Sequence, residues 1–212
     1  MNAVPIKLML VDDHAIVRSG FRRLLEQEPQ LQIVAEADSG ERAYALFVKQ
    51  MPDVVVMDLS MPGMSGFETI RRIVAREPAA RILVFSMHED PMRAERAIQL
   101  GARGYVTKGS APEVLARAVI EVAAGKLFLS ADIAQAIAQS KLSGDDNPLK
   151  QLTAREFEIF RLIVAGHGAS EIAGILKLSS KTVANNRTLI NQKLRTSGDV
   201  ELVLLAQRYN LA

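Results

Sequence analysis

Across residues 1–126, short apolar runs recur, each followed by an amphipathic stretch, and this alternation limits the possible fold more than any other feature of the chain. The runs Ile6–Val11, Leu31–Ala35, Asp53–Met57, Arg81–Phe85 and Gly104–Val106 are expected strands. Several are continuous in Val, Ile and Leu, as a parallel strand is when both of its faces are covered. Between them the pattern predicts helices over Ile16–Gln27, Gly40–Gln50, Gly66–Arg76, Pro91–Leu100 and Pro112–Ala124. Five such β-α units predict an α/β domain built on a doubly wound, five-stranded parallel sheet.

The alternation stops at Gly125. Residues 127–147 are expected to be a linker, with a short Ala-rich helix near Ser130–Ser140 and its most linker-like stretch at Ser143-Gly-Asp-Asp-Asn-Pro148. Residues 148–212 read as a second, all-α domain. Thr153-Ala-Arg-Glu156 has the form of a capping box, in which the Thr hydroxyl and the Glu carboxylate each satisfy a free backbone N–H. Phe157, Phe160 and Val164 follow at helical spacing. Ser170 is a candidate cap for a second helix, and Ser179 or Ser180 for a third bearing Val183, Ile190 and Leu194 on one face. A fourth runs from about Val200 to Arg208. Short helices joined by tight turns suit a helix-turn-helix.

The chain contains no Cys, which excludes disulfides and thiolate metal sites. No stretch approaches the roughly 20 apolar residues that span a bilayer, and no signal peptide is evident, so no membrane role and a cytoplasmic location are expected. Net charge is only +2, but it is unevenly spread. Between Ile172 and Gly198 lie Lys177, Lys181, Arg187, Lys193 and Arg195 and no acidic residue. Phosphate contacts supply much of the affinity of nucleic-acid binders, so a double-stranded DNA surface needs such a window, although charge alone favours the simpler reading of a solvated helix face.

In open α/β sheets ligands bind beyond the carboxyl ends of the strands. The first expected strand ends in Asp12-Asp13, the third in Asp58, the fourth in Ser86 and the fifth in Thr107-Lys108. An Asp after a strand is commonly a turn or cap residue, and for any one of these that reading is the simpler. Together they place three carboxylates, a hydroxyl and an ammonium at one edge. Clustered carboxylates repel unless a cation sits among them, and Mg²⁺ takes hard oxygen ligands of this kind. A carboxylate beside such a metal can attack a phosphoryl group and carry it as an acyl phosphate, with Lys108 offsetting charge. His14 is set aside as a loop or cap residue, and His88 and His167 as incidental.

If Val183, Ile190 and Leu194 face inward, then Lys181, Ala184, Asn185 and Thr188 face outward, with Thr182 beside them. Asn pairs bidentately with adenine, and Ala or Thr can touch the thymine methyl. Lys181, Arg187 and Lys193 suit phosphates. The last helix, with Val200, Leu202, Val203 and Leu205, is more apolar than four packed helices require and is a candidate homodimer contact.

Val11-Asp-Asp-His14, Val54-Val-Val-Met-Asp-Leu-Ser-Met-Pro-Gly63, Ser86 and Gly104-Tyr-Val-Thr-Lys108 resemble the receiver domain of two-component response regulators. Leu152-Thr-Ala-Arg-Glu156, Ser170-Glu-Ile-Ala173 and Ser180-Lys-Thr-Val183 resemble the LuxR-type helix-turn-helix. Together they resemble the NarL/FixJ subfamily over nearly the full chain, and within it regulators of the GacA/UvrY kind. The resemblance implies a flavodoxin-like receiver whose phosphoacceptor is Asp58. It implies that Asp13, Asp58 and the Ser60 carbonyl hold Mg²⁺, with Asp12 acting through water. Ser86 and Tyr105 would be a switch pair, Lys108 would contact the phosphoryl group, and a sensor histidine kinase would be the donor. It implies a transcriptional switch, dimeric on phosphorylation or on DNA, rather than a turnover enzyme, with slow self-dephosphorylation. The chain departs from the pattern in having Ser86 where Thr is common and Gly109 where Pro is common. It also has Ala184 and Asn186 where relatives often carry Lys and His.

Overall fold

The structure, a computed structural model, describes residues 4–142 and 148–209. The chain divides into two compact units, one ending at Lys141 and the other beginning at Leu142. The first unit alternates β1 (Ile6–Val11), α1 (Ala15–Leu25), β2 (Leu31–Ala37), α2 (Gly40–Gln50), β3 (Val54–Met57), α3 (Gly66–Arg76), β4 (Ile82–Ser86), α4 (Pro91–Gln99), β5 (Gly104–Thr107) and α5 (Pro112–Ala123). It closes with β6 (Phe128–Leu129) and α6 (Ala131–Leu142).

The sheet is parallel with strand order β2-β1-β3-β4-β5-β6. The expected count of five strands is therefore corrected to six. Gly104 pairs with Phe128 and Tyr105 with Leu129, so two residues of the expected 127–147 linker extend the sheet and the helix after them is longer than its sequence pattern suggested. The candidate linker at 143–148 falls mostly outside the described residues.

Every residue of β3 and β4 is buried, the apolar runs Val54–Met57 and Ile82–Phe85 together with Ser86 at the end of β4. Leu8, Leu10, Val56, Leu83, Phe85 and Val106 form one core with Leu25 of α1 and Leu115, Val119 and Val122 of α5. Phe21 meets Phe85 edge-to-face, with ring centroids 4.4 Å apart. At roughly 1.5–3 kcal/mol for each fully buried large apolar side chain, this layer is the principal stabilising element of the unit. Strand order reverses between β1 and β3, which creates the crevice in which such sheets bind ligands.

The second unit contains a 3-10 turn (Pro148–Gln151), α7 (Ala154–Val164), α8 (Ala169–Leu176), α9 (Ser180–Leu194) and α10 (Asp199–Arg208). The Thr153 capping box forms at α7, with both reciprocal hydrogen bonds present. Ser179 caps α9 by accepting from the Thr182 N–H. The cap of α8 is Gly168 rather than Ser170, which lies inside the helix, and the Glu171 carboxylate accepts from the Gly168 N–H. Val183, Ile190 and Leu194 are buried, which places the inward face of α9 where the sequence pattern puts it.

Candidate functional site

The carboxyl ends of β1, β3, β4 and β5 bring the candidate residues of the first unit together. Lys108 Nζ lies 2.6 Å from Asp12 Oδ2 and 2.7 Å from Asp58 Oδ2. The three side chains are each at most 8% exposed. Burial alone would lower the ammonium's pKa, but the hydrogen bonds and charges of Asp12 and Asp58 outweigh it and hold Lys108 above its ordinary value. The other oxygens of both carboxylates face backbone donors: Asp12 Oδ1 accepts from the His14 N–H at 2.8 Å, and Asp58 Oδ1 from the Ser60 N–H at 3.3 Å.

Asp13 stands beside Asp12. Its Oδ1 is buried and receives no hydrogen bond, although His14 Nδ1 lies 2.9 Å away. Asp12, Asp13 and His14 can direct ligand atoms to within 4.8 Å of one another. A buried carboxylate oxygen that accepts no hydrogen bond, beside the Asp12 carboxylate and His14, offers hard-oxygen donors that fit a divalent cation such as Mg²⁺, while Asp58, held by Lys108, lies outside this cluster. His14, set aside on sequence, borders this cluster.

Ser86 is fully buried at the end of β4, and its hydroxyl accepts from the His88 N–H at 3.3 Å. Tyr105 is also fully buried, its hydroxyl donating to the His88 carbonyl at 2.8 Å. Burial pushes the Tyr105 phenol well above its ordinary pKa; a hydrogen bond with Ser86 opposes this, and the charges of Asp90, Asp58 and Asp132 add to it. The ring is thus a neutral donor throughout the physiological range.

Three contributors escaped the sequence reading. His88 Nε2 lies 3.2 Å from Ser60 Oγ, so one residue links the loop after β3 with the loop after β4 and also accepts from Tyr105. Arg18 donates to the Asp12 carbonyl at 2.7 Å and to Glu36 at 3.0 Å, pinning the loop that carries the acidic pair. Gly66 is required by packing: a Cβ there would sit 2.3 Å from the Asp58 carbonyl oxygen. The signals for these were weak in the sequence: a His two residues after a strand end, an Arg in an amphipathic helix, and a Gly after Ser65.

In the second unit, Lys181, Thr182, Ala184, Asn185 and Thr188 are all exposed on α9. Thr188 Oγ1 donates to the Ala184 carbonyl and Asn186 Nδ2 to the Thr182 carbonyl, so both side chains bond back to their own helix. Arg187 is paired with Asp199 at the start of α10. Lys193 Nζ lies 2.6 Å from Glu156 Oε2. Two of the basic residues expected at phosphates are therefore engaged within the unit. Asp199 lies just outside the acid-free window that drew attention to them, whereas Glu156 reaches in from α7, well before it. Among the described residues no helix is long and apolar enough to cross a membrane.

Residues 8–120 match the family described as response regulator receiver domain, and residues 150–206 the family described as bacterial regulatory proteins, luxR family. The chain is 39% identical over 209 residues to the response regulator UvrY of Escherichia coli K12, covering 97% of this chain and 95% of that protein. It is 38% identical over 208 residues to the response regulator GacA of Pseudomonas aeruginosa, covering 97% of each. Among solved structures, a LuxR-family two-component response regulator from Aurantimonas sp. SI85-9A1 is 47% identical over 65% of this chain and 99% of its own, with a TM-score of 0.64. RcsB from Salmonella enterica serovar Typhimurium, bound to a promoter in the presence of the phosphomimetic BeF₃⁻, is 27% identical over 96% of this chain and 98% of its own, with a TM-score of 0.72. The acidic crevice, the helical second unit and these likenesses agree: the chain belongs to the two-component response regulators that join a receiver domain to a LuxR-type DNA-binding domain.

Proposed function

We propose that Asp58 accepts a phosphoryl group from a sensor histidine kinase and that this modification controls dimerisation and DNA binding by the second unit. The observation that carries the reading is the pair of contacts from Lys108 to Asp58 and Asp12 in a buried, oxygen-rich crevice. A carboxylate oxygen of Asp58 forms the new bond to phosphorus, and the bond from phosphorus to the donor imidazole nitrogen breaks, leaving the ring with the electron pair. Asp12, Asp13, Asp58 and the Ser60 carbonyl would hold Mg²⁺, which when bound offsets charge on the transferred oxygens.

The chain's own residues do the rest. Lys108 leaves Asp58 for a phosphoryl oxygen, exchanging one anion for another. The Ser86 hydroxyl turns from His88 to the phosphoryl group, and the Tyr105 ring moves with the loop that carries His88. Slow hydrolysis of the acyl phosphate resets the switch, without turnover of a free substrate. The site thus acts as a charge-triggered bistable element.

In the second unit, Lys181, Thr182, Ala184, Asn185 and Thr188 present the outward face of α9 to the major groove, as the second helix of a helix-turn-helix does. Arg187 and Lys193 buttress that helix through Asp199 and Glu156 and contribute positive potential at its edge. The protein works in the cytoplasm, where a kinase and duplex DNA are both available.

Intact mass after incubation with Mg²⁺ and a small acyl-phosphate donor tests the central step. Wild type should gain one phosphoryl group and Asp58→Asn none. Wild type that never gains one across a time course, or a variant that gains it equally, overturns the assignment.

A further inference from the structure

Between the switch residues Tyr105 and Lys108 lies Thr107, which is buried and has no role in the chemistry above. Its hydroxyl donates to Asp132 Oδ2 at 2.8 Å and lies 2.9 Å from Ser110 Oγ. Asp132 stands in the first turn of α6, the helix that leads toward the second unit. The backbone makes the same connection, since the Tyr105 carbonyl accepts from the Ser130 N–H at 3.0 Å. Ile133, fully buried, anchors the first turn of α6, and at its far end Lys141 lies 3.9 Å from Glu95 of α4. The start of α6 is therefore fastened to β5 at the two residues flanking Val106, one of which is the switch tyrosine.

We infer that the Thr107–Asp132 hydrogen bond is a coupling contact that transmits the state of the phosphorylation site to α6, and through that helix along the chain toward the DNA-binding unit. The inference rests on the phosphoacceptor reading. Lys108 is the next residue after Thr107, and its N–H donates to the Ser86 carbonyl at 2.7 Å. When Lys108 shifts from Asp58 to a phosphoryl oxygen, and Ser86 and Tyr105 rearrange, the end of β5 is the element they share. Thr107 has a fixed backbone place on that element and a charge-assisted bond to the helix. A bond to an ionised acceptor is directional and roughly twice as strong as one between neutral groups, so it conveys a displacement that apolar packing would absorb. A purely structural tether would make the same contacts, but α6 would then ignore the state of Asp58.

Amide hydrogen exchange on the full-length chain, with and without beryllofluoride and Mg²⁺, separates the two. In wild type, exchange across the Ser86–Glu89 loop and across the first turns of α6 should both change several-fold. Thr107→Val keeps the shape of the side chain and removes the donor. It should retain the loop response and lose most of the α6 response. Asp132→Ala should do the same, and Asp132→Asn, which keeps an acceptor oxygen, should restore much of it.

An α6 response in Thr107→Val equal to that of wild type overturns the inference, as does a wild-type α6 that stays unchanged while the loop responds. A wild-type loop that also ignores beryllofluoride would instead overturn the phosphoacceptor reading, and the coupling with it.

Discussion

Lys108 Nζ lies 2.7 Å from Asp58 Oδ2, although 50 residues separate them in the chain. The ammonium occupies the oxygen that would receive a phosphoryl group and, through Asp12, part of the donor set for Mg²⁺. It therefore offsets part of the crevice's negative charge and would compete with a metal ion there. Two unit charges about 4 Å apart interact by about 4 kcal/mol at a near-surface effective dielectric. Lys108→Met should bind Mg²⁺ about tenfold more tightly, in keeping with a fraction of that repulsion. Calorimetric titration of the two proteins checks this, and equal affinities would show that Lys108 leaves the carboxylates without cost.

Gly66 abuts the backbone of Asp58 and Leu59. A Cβ at this position would stand 2.3 Å from the Asp58 carbonyl oxygen and 2.6 Å from Leu59 Cα, both backbone atoms that cannot swing aside. Gly66→Ala should cost about 1–3 kcal/mol of stability through overpacking and displace the Asp58 loop. Thermal unfolding should show the loss. The rate of phosphoryl gain from a small donor should fall while its final extent is kept. A variant with normal stability and rate would show that α3 can back away freely.

The strands and helices of the first unit were legible because β3 and β4 are covered on both faces and α2, α3 and α5 carry clear apolar stripes with Gly or Pro at their starts. β6 was not, because two half-buried residues, Phe128 and Leu129, offer no period to read. Asp12, Asp13, Asp58 and Lys108 were legible because their residue types at strand ends have few other joint explanations. His88, Arg18, Gly66 and Asp132 act through loop conformation or through contacts distant in sequence, and no local pattern announces those. Arg187 and Lys193 show a limit in the other direction. A window free of acids suggested free cations, yet Asp199 and Glu156 reach in from α10 and α7.

Those two ion pairs lead to a prediction that distinguishes DNA contacts from scaffold. Each phosphate contact made by a free cation should add close to one to the slope of log affinity against log salt. Lys181→Ala should lower that slope on duplex DNA by about 1. Lys193→Ala should leave it nearly unchanged while weakening the helical unit. Titrations at several salt concentrations distinguish the two, and an equal loss of slope in both variants would place Lys193 at the phosphates.

Glu156 makes the second unit sensitive to acid. Its carboxylate accepts from the Thr153 N–H and from Lys193, both at 2.6 Å. Burial raises its pKa, but these bonds outweigh burial and hold it below the ordinary 4.5. A depressed folded-state pKa adds stability that is present above about pH 4.5 and is lost as pH falls through the lower folded value. Glu156→Gln should therefore be less stable at neutral pH by about 1–3 kcal/mol, and its stability should fall less steeply below pH 4.5. Exchange of α7 and α9 amides against pH would show it. Parallel acid profiles for the two proteins would place the sensitivity elsewhere.

The last helix carries an apolar face that its own unit does not use. Leu202 and Ala206 of α10 are buried, whereas Val200 is 74% exposed and Leu204 59%, one turn apart on the same side. Val203 is half-buried between the two faces. Single exposed apolar residues are ordinary, but an adjacent pair on the last helix of a helix-turn-helix is placed for a second copy bound to a symmetric site. Leu204→Asp removes apolar area and places a charge in the patch of both copies that a two-fold contact would bury. It should abolish cooperative binding to duplex DNA and leave the fold intact, because this side chain packs against little of its own unit. Sedimentation of the protein with and without DNA, together with the binding isotherm, reads both effects. Cooperative binding that survives the substitution would move the dimer contact off α10.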